Sequence, residues 1–153
     1  MNIQTTFNGL MRTASTLAVL GLAVYVWGQY FEKPYLTYKN LPFPVFTEQV
    51  KPGELVQLRV ERCSTSNKPE KYRMTRTMRN EVTCEVSILP PIEVGIAPGC
   101  HRANSKLDFV PTKTPPGIYT LWGISTVKGF LRDHQIVWYS EPFEVLVDER
   151  VKS

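Results

Sequence analysis

Lys51-Pro52-Gly53-Glu54 runs directly into Leu55-Val56-Gln57-Leu58-Arg59-Val60-Glu61, and this stretch sets the fold class. Adjacent Pro and Gly mark a turn, because one fixes φ and the other tolerates positive φ. Beyond the turn, Val56, Leu58 and Val60 alternate with Gln57, Arg59 and Glu61. That period of two separates an inward apolar set from an outward polar set on one strand. Further β-rich runs occupy residues 72–78, 82–89, 107–110, 117–127 and 136–147, the last interrupted at Pro142. After Pro142, Phe143, Val145 and Val147 alternate again with their neighbours. No long amphipathic helical pattern follows residue 32. Roughly seven short strands within about 100 residues predict an all-β domain, an antiparallel β-sandwich, over residues 48–147. A polar tail, 148–153, carries no packing signal.

The N-terminal end is of a different kind. Residues 13–31 are 19 consecutive positions without a charge, bounded by Arg12 and Glu32. As a helix, at about 1.5 Å per residue, they span the hydrocarbon core of a bilayer. Tyr25, Trp27 and Tyr30 gather at one end, where amphipathic rings prefer the membrane interface. A single transmembrane helix at 13–31 is therefore expected, preceded by a short tail, 1–12. Residues 32–47, with Pro34, Pro42 and Pro44, are expected to form a Pro-containing tether. A cleaved signal peptide is the rival reading, against which stands the lack of a small-x-small site after the run. A helix buried in an assembly such as a virion is equally apolar.

Cys63, Cys84 and Cys100 are the three cysteines. Cys63 ends a predicted strand and Cys100 follows the Pro98-Gly99 turn, so these two are expected to pair, with Cys84 free. Closing the loop between them is worth roughly 4 kcal/mol on the chain-entropy model. Such a bond persists in an oxidising compartment, which implies a cytoplasmic N-terminus and a periplasmic or extracellular domain. Three reduced cysteines serving as packing residues are the alternative.

The formal charge is +4, but the basic residues are scattered. The densest group is Lys68, Lys71, Arg73, Arg76 and Arg79, of which Lys71, Arg73 and Arg79 share one strand face and Arg76 takes the other. This reads as a solvated face, so nucleic acid is not an expected partner. His101 and His134 lie in no nucleophile motif, no Cys-x-x-Cys spacing occurs, and no Gly-rich phosphate loop is present. No catalytic residue, metal or cofactor is expected, and the protein is read as non-enzymatic.

Pro115-Pro116-Gly117-Ile118-Tyr119-Thr120-Leu121 resembles the tyrosine corner of immunoglobulin-like domains. The resemblance implies that Tyr119, just past the turn at Gly117, bonds back to the preceding backbone. Leu121 stands where antibody domains carry a core cysteine, which points outside the antibody family. More broadly, Lys51-Pro52-Gly53-Glu54, Cys63, Pro98-Gly99-Cys100-His101, Pro115 to Tyr119 and Ser140-Glu141-Pro142-Phe143-Glu144-Val145 follow in an order similar to small proteins of tailed bacteriophages. Those carry a signal or membrane anchor and one immunoglobulin-like domain.

If Tyr119 and Leu121 face the core, Trp122 and Ile124 face the other side of the same strand. Ile136 and Trp138, across the Lys128-Gly129 hairpin, are expected to join them in an apolar patch. Such a patch suits docking of an unknown protein partner or self-association; the bland alternative is cover by a loop or by the tether. The functional expectation is a membrane-tethered interaction module, held in lipid by residues 13–31. The alternative is a structural protein of a virion.

Overall fold

Period-two burial runs along β3 (Leu55–Ser64), where Val56, Leu58 and Val60 are buried and the residues between them reach solvent. The computed structural model describes residues 3–147, with side chains described for 11–104 and 110–147. The expected tail at 148–153 lies outside the described residues. β3 is the middle of a three-stranded sheet, between β1 (Leu36–Tyr38) and β6 (Gly99–Phe109). A six-stranded sheet runs β2 (Gln49–Val50), β9 (Phe143–Val145), β7 (Gly117–Lys128), β4 (Glu70–Asn80), β5 (Val86–Ile96), with β8 (Asp133–Tyr139) also paired to β7. Pairing is antiparallel except between β2 and β9.

The inward faces of both sheets meet in one apolar cluster. Leu36, Val56, Leu58 and Val60 come from the smaller sheet, and Tyr72, Met74, Met78, Leu121 and Trp138 from the larger. A polar link crosses between them: Tyr38 Oη lies 2.7 Å from Ser125 Oγ, and Arg62 Nη1 donates to Tyr72 Oη at 2.9 Å. Burial, with the neighbouring Tyr72 adding to it, pushes the Tyr38 phenol far above its ordinary pKa, so Tyr38 enters the link as a neutral hydroxyl beside the charged Arg62 guanidinium.

Two strands differ from the sequence expectation. β5 starts at Val86 rather than 82 because residues 81–83 form the turn, where the Val82 and Thr83 N–H groups both donate to Asn80 Oδ1. It continues through Pro90 and Pro91 to Ile96 because it is an edge strand whose pairing with β4 shifts register between Met74 and Arg76. A bulge at an edge tolerates a missing N–H. There, buried Arg76 sends Nη2 to the Pro90 carbonyl at 2.6 Å. β6 begins eight residues before the expected 107, at Gly99, since it too is an edge strand and its polar sequence shows no alternation.

The N-terminal helix, α1, covers Ile3–Tyr30, and its Met11–Tyr30 portion is long and apolar enough to cross a membrane or to serve as a signal sequence. Thus residues 3–12, expected as a tail, are helical. Side chains from Met11 to Trp27 stay exposed on this fold. Ser15 and Thr16 both return their hydroxyls to the Arg12 carbonyl, at 2.9 and 2.8 Å, which satisfies them within the helix.

The tether is a second correction. Residues 32–47 do not form a free spacer: Leu36 and Phe43 are fully buried, and 36–38 pair with β3. Phe43 bridges to Ser140 and Val45 to Leu58, so this segment touches both sheets. Its aromatic and aliphatic residues outweigh the prolines, which exclude helix but not packing.

Candidate functional site

The outer face of the larger sheet carries the candidate site, and strand phase decides its membership. On β7, Tyr119, Leu121, Gly123, Ser125 and Val127 point inward or lie buried, leaving Trp122 and Ile124 outside, each 37% exposed. Lys128 pairs with Asp133, so the even-numbered residues of β7 oppose odd-numbered residues of β8: Trp122 faces Tyr139 and Ile124 faces Val137. Opposed residues of an antiparallel pair share a face.

The expected patch is therefore corrected at two positions. Trp138 is 0% exposed and sits opposite Gly123 in the core, while Ile136 is half-buried and packs against the same cluster. Tyr139 and Val137 take their places outside. The Trp122 and Tyr139 rings stack, with centroids 5.2 Å apart and planes 23° apart. Across β4 and β5 the row continues in register through Thr77 to Ile88, which is 84% exposed. Thr75, Thr77, Trp122, Gly123, Ile124 and Val137 line a shallow hollow of about 210 Å³. Arg73 and Arg79, outward on β4, add positive charge to its borders.

The remaining predicted residues fall elsewhere. Cys63 and Cys100 form a disulfide between directly opposed positions of β3 and β6, with Cα atoms 4.0 Å apart, so it staples one sheet rather than joining two. Cys84 is free and exposed, and its φ of 59° is left-handed. Tyr119 Oη donates to the Pro115 carbonyl at 2.9 Å, and Gly117 beside it has φ 155°. Tyr25, Trp27 and Tyr30 are exposed along the last turns of α1.

A contact that the sequence reading missed ties α1 to the β7–β8 hairpin. Glu32, just past the helix, accepts from the backbone N–H of Phe130, and from Leu131 at 3.3 Å. His134 Nε2 lies 3.8 Å from the same carboxylate. Gly28 is buried because Leu131 covers it, and a Cβ at that position would overlap the Leu131 side chain. Only the unusual pair of exposed apolar residues in a turn, Phe130-Leu131, hints at this in the sequence.

No family model matches this chain, and no curated protein matches it. Among solved structures, it is similar to the sporulation control protein Spo0M of Bacillus subtilis, at 12% identity and TM-score 0.43, covering 77% of this chain and 51% of that one. A β-glucosidase of Erythrobacter marinus matches at 9% identity and TM-score 0.42, over 74% of this chain and 16% of the enzyme. A family 123 glycoside hydrolase of Clostridium perfringens matches at 10% identity and TM-score 0.35, over 72% and 27%. The chain thus spans about half or less of each of these proteins. The expectation of a non-enzymatic protein is corrected on this finding, since the similar structures include glycoside hydrolases. At these TM-scores the likeness carries no reaction, substrate or catalytic residue to this chain.

Proposed function

We propose that this chain is a single-pass membrane protein that holds an immunoglobulin-like β-sandwich outside the cytoplasm and docks another protein through the face around Trp122 and Tyr139. The observation that carries the reading is the stacked Trp122–Tyr139 pair, standing in solvent beside Ile124, Val137 and Ile88. Aromatic side chains supply large, rigid contact area, and contiguous exposed apolar surface of this kind marks interaction sites. Retention in lipid is supported by α1, whose apolar side chains find no cover on the β domain. An oxidising surrounding is supported by the Cys63–Cys100 bond, and the immunoglobulin-like reading by the Tyr119 to Pro115 hydrogen bond. A tailed-phage origin belongs to the same proposal and rests on motif order alone.

Fractionation of cells making the full-length protein tests the anchor: it should stay in the membrane pellet after alkaline carbonate extraction. Recovery from purified particles with none in membranes overturns it. For the docking face, a photo-cross-linker replacing Tyr139 should give a discrete protein adduct that Trp122→Asp abolishes without unfolding the domain. An adduct pattern unchanged by Trp122→Asp removes this face from the proposal.

A further inference from the structure

The turn that Glu32 holds against α1 exposes apolar side chains that the core does not use. Phe130 is 78% exposed and Leu131 40%. Turn residues are ordinarily small or polar, and an exposed phenylalanine at a hairpin tip calls for a second surface. Three observations say which surface. Leu131 covers Gly28, two residues before the end of the Met11–Tyr30 apolar run, so the tip reaches about 3 Å inside that end at 1.5 Å per residue. The same end of α1 carries the exposed rings of Trp27 and Tyr30 and, one residue on, Phe31, the residue types that settle at the lipid–water boundary. Lys33, Lys128 and Arg132 flank the tip with exposed positive charge, against Asp133 and a Glu32 carboxylate already occupied by the turn's own N–H groups.

We propose that the Phe130–Leu131 tip inserts into the leaflet at the C-terminal end of α1 as a second membrane contact, with Lys33, Lys128 and Arg132 facing anionic headgroups. This inference rests on α1 being a membrane anchor. The domain is then held at two points rather than on a swivel, and the docking face takes a fixed height. Trp122 lies six residues from Lys128 along β7, so it stands about 20 Å from the end of the strand that leads into the tip, at roughly 3.3 Å per residue. A partner on that face would meet it well clear of the headgroups.

Spin labels on full-length protein, reconstituted in vesicles of phosphatidylcholine with phosphatidylglycerol, test both steps separately. Single cysteines replace Phe130, Ala18 and Lys113 in turn, each with Cys84→Ser, and collision with oxygen is compared with collision with a water-soluble nickel chelate. Positions 130 and 18 should favour oxygen, while position 113, exposed at the opposite end of the domain, should favour nickel. Nickel access at 130 with oxygen preference at 18 overturns the inserted tip and leaves the anchor standing. Nickel access at 18 overturns the anchor, and the tip insertion with it.

Discussion

Gly123 and Trp138 face each other across β7 and β8, and the indole fills the space that a Cβ at position 123 would occupy. A rigid ring in a closed core has little room to retreat, so glycine here is a packing requirement. Gly123→Ala should destabilise the protein by about 1–3 kcal/mol, the usual range for overpacking. Urea unfolding of the detergent-solubilised protein, followed by tryptophan fluorescence, measures it. A midpoint equal to wild type would mean that the indole has somewhere else to go.

The two tryptophans on either side of this sheet should behave oppositely. Trp138→Ala empties the centre of the core, where Trp138 also meets the Phe43 ring at 5.4 Å, and should cost about 3–5 kcal/mol. Trp122→Ala loses mainly the stack on Tyr139 and should cost about 1 kcal/mol or less. Circular dichroism melts of the two variants settle the order, and a Trp122 variant that unfolds as readily as the Trp138 one would show that the outer face is covered.

The phase of β8 explains why the sequence misassigned these residues. Ile136, Val137, Trp138 and Tyr139 are all apolar, so alternation assigns neither face. Only the turn length, which pairs Lys128 with Asp133, fixes which of them lie inward, and turn length is not read from hydropathy. β3 was legible because each outward position is polar. β6 was not, because an edge strand lacks a second hydrogen-bonding neighbour and its polar residues leave no apolar period. The Pro-containing segment 32–47 misled in the opposite direction: its prolines are local signals, whereas the burial of Leu36 and Phe43 depends on strands distant in sequence. The Glu32 junction brings together residues about 100 positions apart, beyond the reach of any local pattern.

The Cys63–Cys100 staple joins β6, an edge strand, to the sheet through β3 alone. Replacing both cysteines by serine should lower stability by about 2–5 kcal/mol, part of it through a freer unfolded chain. Amide exchange should rise most along β6, whose one paired neighbour is β3. Uniform loss of protection across all strands would indicate that the bond acts on the whole fold rather than on this edge.

The hold of Glu32 on the hairpin sets a pH dependence whose sign follows from its surroundings. The Phe130 N–H, then the Leu131 N–H and the nearby His134 and Arg132, keep the Glu32 carboxyl below its ordinary pKa, against an opposing effect of partial burial. A carboxylate depressed in the folded state stabilises at pH above the ordinary glutamate value, and this contribution is lost as pH falls through the depressed value. Acid should therefore release the turn from α1 while leaving the distant sheet intact. Hydrogen exchange, corrected for intrinsic rates, should show protection at Phe130 and Leu131 falling on acidification in the wild type. Glu32→Gln, which keeps a carbonyl acceptor and cannot ionise over this range, should remove that pH dependence, and Glu32→Ala should leave both amides unprotected at neutral pH. Equal protection in all three proteins at neutral pH would show that Leu131 packing on Gly28, rather than the carboxylate, holds the hairpin to the helix.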